Sequence, residues 1–494
     1  MKAQQKQKQK EGLIKVPAKQ QRRRQVVAAM ALGIIIVFAF LVRSNTFYLE
    51  HWQGDQSHYI ALAMKLDKFG LDHYNLRGVK IKFIKFEQSD RLRIVFVAPA
   101  DDIAEKGDIL KGLEHFGIDY YDMPLYYKAP AFAYALVLSH KLFARPKQPY
   151  SVGWASIQGY LRQVKPRIFI GAQFYAVIVP LFFSLGLAVL TFLIGSRLFS
   201  QRAGLYAAFM MAMNPVSILI SQKLLADDMS AFFFALSALL FIVAMQLKGS
   251  ALKENGLILL AGVSCGIAVL AKQTAGLLVV PLWIFTVVAH PKKIWNIECL
   301  PRIICNKKII LFLVGLFLVS AFWFLKVHET YGYFLKRGGS AAVDKTGWNA
   351  ILRSRPNGWI LFVLGLPYLC PPFIFVYCSV RKFIINFRDM LFKKTEEYRF
   401  VFLWLVILTF VYYFRGAAGQ EERRMLPVYP FIAVVAGYCL DRFRLYSGRW
   451  RVFMPKPFVR ELIIVAFFIA SAIWSVPMAI EAAIDLKVLL MKPF

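Results

Sequence analysis

Apolar residues in this 494-residue chain gather in long blocks, with charged runs between them. Each block is about 16–25 residues, enough for a helix rising 1.5 Å per residue to cross a hydrocarbon core of ~30 Å. The pattern predicts about eleven spanning helices, and so an all-α polytopic membrane protein. The blocks fall near residues 25–43, 168–195, 203–221, 229–247, 256–271, 274–290, 309–327, 358–379, 400–414, 425–440 and 461–480. The predicted division is a basic tail over 1–24, a membrane domain over 25–480 and a short tail over 481–494.

A long loop over 44–166 separates the first two spans, and a second covers 328–357. Within the first, residues 56–69 have the spacing of an amphipathic helix. The run GVKIKFIKFEQSDRLRIVFVAPA reads as a hairpin, with Lys80, Lys82 and Lys85 interrupting the apolar positions and Gln88-Ser89-Asp90 as its turn. The stretch AFAYALVLSHKLF is too short to span and is expected to lie at the membrane interface.

Composition agrees with the pattern. Hydrophobic residues make up 58% of the chain and mean hydropathy is +0.51, more apolar surface than a water-soluble fold could hide. The formal charge of +32 needs an address, because a basic excess also suits nucleic acid. About half of the 61 Lys and Arg residues sit in the tail through Arg24 and in alternate loops around Arg197 and Arg202, Lys248 and Lys253, 292–308, 381–399 and 442–460. That asymmetry places those loops and the N-terminus in the cytoplasm and brings them to anionic lipid headgroups. It argues for membrane lipids as partners and against nucleic acid. None of the six cysteines falls in a predicted external loop, so no disulfide framework is expected. The first apolar block lacks a clear small-residue cleavage site and reads as a retained anchor. No Gly-rich phosphate loop follows a strand, so an activated substrate would arrive from the membrane rather than as a soluble nucleotide.

Polar residues that resist this topology mark the candidate chemistry. Asp55 follows the first span and reads either as a helix cap or as a working carboxylate; His58, one turn on, reads as a surface histidine or a metal partner. Lys128, between Tyr127 and Pro130, is either an interfacial anchor or a cation awaiting a lipid phosphate. Asp227 and Asp228 lie in a short turn between two spans, where they either face water and cap the next helix or line a polar cavity, with Lys223 near enough in sequence to neutralise one. Lys272, Arg423 and Arg424 are cations at mouths that should be poor in them, which suggests an anionic ligand.

The order of these motifs resembles the GT-C glycosyltransferases, within them the bacterial protein-mannosyltransferase-like group that includes the lipid A aminoarabinose transferases. The likeness covers roughly residues 25–440 and lies in Asp55 after the first span, Lys128-Ala129-Pro130 before an aromatic helix, and Arg167 opening the second span. It continues in SRLFSQRAGLYAAFMMAMNP, the acid at Asp227 or Asp228, GIAVLAKQTAGLLVVPL, Phe322-Trp323 and ERRMLPVYP. Two departures stand out. Gln56 follows Asp55 where the family usually has an acid, and Tyr127-Lys128-Ala129-Pro130 stands where it commonly has Glu-Lys-Pro-Pro.

The resemblance implies transfer of a sugar from a polyprenyl phosphate to a lipid, glycan or protein acceptor outside the bacterial plasma membrane. It implies Asp55 as catalytic base and Lys128, Arg167, Arg423 and Arg424 on the donor phosphate. Asp227 or Asp228, with His328 and Glu329 in the following external loop, would position the acceptor. A divalent cation, Mg²⁺ or Mn²⁺ held by Asp55 and Asp228, is left open. The rival class is a transporter or lipid flippase, which would want interrupted helices or ionisable residues deep in the membrane.

Overall fold

The computed structural model describes residues 18–44, 59, 62–63, 66–67, 79–85, 92–99, 120–122, 129–143, 174–247, 250–272, 306–331, 426–441, 466 and 469. The expected spans at 274–290, 358–379 and 400–414 lie outside these residues, as does all but two positions of 461–480. Among the described residues, five helices are long and apolar enough to cross a membrane.

The first is α1 (Ala18–Ser44), whose membrane-length portion is Gln25–Arg43. The expected hairpin follows: β1 (Val79–Lys85) pairs antiparallel with β2 (Leu92–Pro99). A register shift between Lys82 and Phe83 accommodates the eighth residue of β2 as a bulge. A third strand not anticipated from sequence, β3 (Tyr120–Asp122), adds to the other edge of β1 to give the order β2-β1-β3. The short apolar stretch is helical as expected, forming α2 (Ala131–Phe143).

The bundle begins with α3 (Phe174–Leu198) and continues through α4 (Gln201–Ala212) and α5 (Pro215–Ser221). The expectation of one continuous span over 203–221 is therefore corrected: the helix is interrupted at Asn214-Pro215. Proline carries no amide hydrogen and disfavours helical backbone at the residue before it. Asn214 accordingly adopts an extended conformation (φ −67°, ψ 119°) and caps α5, its Oδ1 accepting from the Ser217 amide at 3.0 Å.

Three long helices follow: α6 (Asp227–Gln246), α7 (Ala251–Ala271) and α8 (Lys307–Tyr331). The described bundle closes with α9 (Tyr429–Asp441) against α4 and α3. Lipid offers little hydrophobic drive for helices to associate, so small residues and interhelical hydrogen bonds hold such bundles. Here Ser237 donates to Ala261 O at 2.7 Å, Ser264 to Phe233 O at 2.8 Å and Ser230 to Ala268 O at 3.2 Å, stitching α6 to α7 along its length. On the other side of α7, Gly262 faces Gly315 of α8 and Gly266 faces Leu316. A methyl group on Gly266 would stand 2.8 Å from the Leu316 carbonyl oxygen, and one on Gly262 or Gly315 would strike the opposing backbone. Glycine is what allows the two backbones to meet.

Candidate functional site

Two apolar clusters fill the bundle, and the smaller one locates the site. The larger runs through the middle of α3, α4, α6, α7 and α9. The smaller lies at one end and joins Tyr59, Leu62, Ala63 and Leu66 to Phe132 and Leu136 of α2, Val179 of α3, Met229 of α6, Leu270 of α7, and Trp323 and Val327 of α8. The expected amphipathic helix is helical at each of its described positions, and its buried residues recur at one helical face. The Tyr59 ring meets the Phe132 ring edge-on, with centroids 5.0 Å apart. Behind this contact His140 Nδ1 lies 3.1 Å from Asp67 Oδ2.

This cluster collects the sequence neighbours of most of the candidate residues. Asp55 precedes Tyr59 by four residues and Lys128 precedes Phe132 by four; Ala176, nine after Arg167, is also a member. Ala226 and Met229 flank the two acids, Ala271 adjoins Lys272, and Val327 adjoins His328. Asp55, Lys128, Arg167, Arg423 and Arg424 themselves lie outside the described residues, as does His58. The neighbours of the last two arginines, Leu426 and Val428, belong to the larger cluster with α4.

Asp227 and Asp228 occupy the first turn of α6 rather than the preceding turn, and Ala226 is the N-cap. Acids are stabilised there by the amide dipoles of the helix start. Both are buried, at 5% and 0% exposure. Asp227 is engaged by Lys272, the residue that ends α7, in a direct ion pair. Lys272 therefore neutralises an internal acid, and the anionic ligand inferred for it from sequence is not required to explain its place.

Asp228 differs. Neither of its carboxylate oxygens has a hydrogen-bond partner among the described residues. The guanidinium of Arg43, itself 2% exposed, lies within Coulomb range of Asp228 but bonds elsewhere. Its Nε donates to Ser184 Oγ at 3.0 Å, Nη1 to Ala212 O at 2.7 Å and to Ala39 O at 3.3 Å, and Nη2 to Ser217 Oγ at 3.2 Å. Ala212 ends α4, so Arg43 supplies a donor to a carbonyl exposed by the proline break. A buried carbonyl left without one would cost about 1–3 kcal/mol.

Sequence reasoning missed Arg43, although a signal was present: a cation at the C-terminal end of the first apolar block. His328 and Glu329 fall in the last turns of α8, which runs beyond the expected span end, and both are exposed; Glu329 accepts from Lys326 at 3.1 Å. No group of three or more His, Cys, Asp or Glu residues suited to a metal occurs among the described residues.

The whole-chain arrangement was compared with known proteins. A structure of ArnT from Cupriavidus metallidurans bound to undecaprenyl phosphate aligns with a TM-score of 0.52 at 14% identity, covering 89% of this chain and 63% of that one. The apo ArnT structure from the same organism gives 0.52 at 12%, covering 92% and 76%. The fold is shared with these ArnT structures. Consistent with this, the family profile of dolichyl-phosphate-mannose-protein mannosyltransferases matches residues 168–331, the stretch from the start of the bundle to the end of α8. The archaeal oligosaccharyltransferase AglB from Archaeoglobus fulgidus, in complex with an inhibitory peptide and a dolichol-phosphate, aligns with a TM-score of 0.50 at 12% identity, covering 91% and 56%. The chain spans less than two thirds of the length of the first of these and of AglB. A search of curated sequences finds no match. The polytopic helical fold expected from the ordered motifs is the one these structures share.

Proposed function

We propose that this protein is a membrane glycosyltransferase that moves a sugar from a polyprenyl-phosphate carrier to an acceptor on the extracytoplasmic face. The observation that carries the reading is the small apolar cluster. It gathers, at one end of the bundle, Tyr59 and Phe132, which follow Asp55 and Lys128 by four residues, with Ala226 and Met229 on either side of a buried carboxylate that has no hydrogen bond among the described residues.

The chemistry asks little of the protein. An acceptor hydroxyl oxygen attacks the anomeric carbon, the bond from that carbon to the phosphate oxygen breaks with its electron pair going to the phosphate, and the hydroxyl proton passes to a carboxylate. Asp55 is that base, a role worth roughly 10²–10⁴ in rate. Lys128 and Arg167, with Arg423 or Arg424, meet the charge growing on the leaving phosphate. A cation ~4 Å away supplies about 4 kcal/mol at an effective dielectric near 20, before its own desolvation is subtracted. Asp228 holds hydroxyl groups near the reacting carbon, and the exposed His328 and Glu329 stand where an acceptor would approach. The sugar and the acceptor are set by pocket shape.

The described residues fit a divalent cation poorly. Asp227 is taken by Lys272, and Asp228 feels the positive charge of Arg43. A metal held by Asp55 and Asp228 would have to overcome that repulsion, and no step of the mechanism is routed through one.

The test is transfer of a labelled sugar from synthetic polyprenyl-phosphate donors to membrane extracts by purified protein. Asp55→Asn should abolish transfer while insertion and thermal stability stay as in wild type; turnover near wild type would remove Asp55 from the base role. Lys128→Ala should weaken donor use far more than acceptor use. A transporter or flippase is the second reading, favoured by the interrupted α4–α5 helix and the buried Arg43. Against it, the Arg43 donors are engaged by the protein's own carbonyls and hydroxyls. Reconstituted vesicles that move intact glycolipid without forming a glycosidic bond would favour that reading.

A further inference from the structure

Most buried polar side chains at the site end have internal partners. Ser184 and Ser217 hold Arg43, Ser221 donates to Ile218 O at 2.8 Å, and Asn214 caps α5. Gln222 stands with Asp228 as an exception. It is the C-cap of α5, is 3% exposed, and neither its Oε1 nor its Nε2 has a hydrogen-bond partner among the described residues. Six residues separate it from Asp228, on a connection turned back by the Lys223 amide donating to Ile220 O and the Leu225 amide to Lys223 O, each at 2.8 Å. Leu224, Leu225 and Ala226 of that connection are themselves buried.

The two side chains together specify a ligand chemistry. An ionised carboxylate only accepts hydrogen bonds, whereas a glutamine amide both donates and accepts. A phosphate group would suit the amide nitrogen but would be repelled by Asp228. A simple cation would suit Asp228 but not the amide nitrogen, and it would meet the field of Arg43. A hydroxyl group donates and accepts at once. A ring carrying several hydroxyls answers both residues, its O–H groups donating to Asp228 and to Oε1 while a ring oxygen substituent accepts from Nε2. An amide left unpaired in a buried position destabilises the fold, so a scaffold role would be better served by an apolar side chain of the same size.

We propose that Gln222 and Asp228 form a subsite that binds a sugar ring through its hydroxyl groups, with Gln222 determining which hydroxyl pattern is accepted. This rests on the glycosyltransferase reading above. The ring belongs either to the lipid-linked donor or to a glycan acceptor, and the same hydroxyl chemistry serves both.

The experiment measures thermal stability and apparent affinity of the full-length protein in detergent. Three probes are used: bare polyprenyl phosphate, a panel of hexosyl and pentosyl polyprenyl phosphates, and free methyl glycosides. In wild type at least one glycosylated carrier should bind at least tenfold more tightly than the bare carrier. Gln222→Leu should erase that increment, leave bare-carrier affinity within twofold, and match or exceed the wild-type melting temperature without ligand. Gln222→Met serves as a second apolar variant should Leu pack badly. If free glycosides protect wild type but not Gln222→Leu, the subsite holds an acceptor sugar. Retention of the glycosyl increment in both variants, or a large fall in ligand-free stability in both, overturns the proposal and leaves the transferase reading standing. If no carrier, bare or glycosylated, stabilises wild type, the transferase reading falls and the subsite with it.

Discussion

Two sets of buried polar groups lie at the same end of this bundle, and they behave in opposite ways. Among the described residues, Arg43 joins span one to α3, the end of α4 and α5 through three hydrogen bonds. Asp228 and Gln222 make none with side chains or backbone among the described residues. Inside a helical bundle a polar group must be paired, hydrated or held for a ligand, because its desolvation is otherwise uncompensated. Arg43 answers the backbone left open at Pro215 and is scaffold. Asp228 and Gln222 answer no group among the described residues, as side chains held for a ligand would. Lys272 and Asp227 fall with Arg43, since each satisfies the other.

The comparison breaks most readily at Arg43. Arg43→Met would leave the Ala212 carbonyl, Ser184 and Ser217 short of a donor and Asp228 without a nearby cation. A loss of about 3–5 kcal/mol is expected, since removing one member of a buried polar network leaves the rest uncompensated. Thermal unfolding in detergent checks it; a melting temperature near wild type would show that Arg43 braces nothing. A smaller loss, about 1–3 kcal/mol, is expected from Gly315→Ala, which drives a methyl group into the α7 backbone. Because α7 ends at Lys272 and α8 carries Trp323, the same variant should also slow transfer, by about tenfold, through misplacement of the site end.

Asp228→Asn sharpens the contrast from the other side. Replacing a buried carboxyl that makes no hydrogen bond among the described residues should leave stability unchanged or raised, yet transfer should fall at least tenfold. Parallel loss of stability and turnover would put Asp228 with the scaffold. The smallest expected effect is that of a chelator: EDTA should leave transfer unchanged, and loss of activity restored by Mg²⁺ or Mn²⁺ would return Asp228 to a metal.

Much of this was legible in the chain because membrane helices must satisfy their own backbone and present apolar side chains to lipid. Span one is read over 25–43 and found over Gln25–Arg43, and α6, α7 and α8 begin within a few residues of their expected starts. The hairpin and the short helix after Lys128 are also found. The interruption of α4 and α5 was written in Asn214-Pro215, but a long apolar run hid it. Gln222 carried no signal at all: a single amide between two apolar turns has no periodicity to betray it.

Sequence alone determined the solvent this protein lives in and the order of its motifs, because hydropathy is a local property summed along a segment. It could not say which cation belongs to which acid. Lys223 is four residues from Asp227 and Lys272 is forty-five, yet Lys272 makes the ion pair, because α6 and α7 pack antiparallel and bring the start of one to the end of the other. Packing likewise decided that Arg43 is engaged while, among the described residues, Asp228 and Gln222 are not. Hydrogen-bond satisfaction depends on what lies within 3.5 Å in space, and a chain folded through a membrane sets that by helix contact rather than by sequence distance.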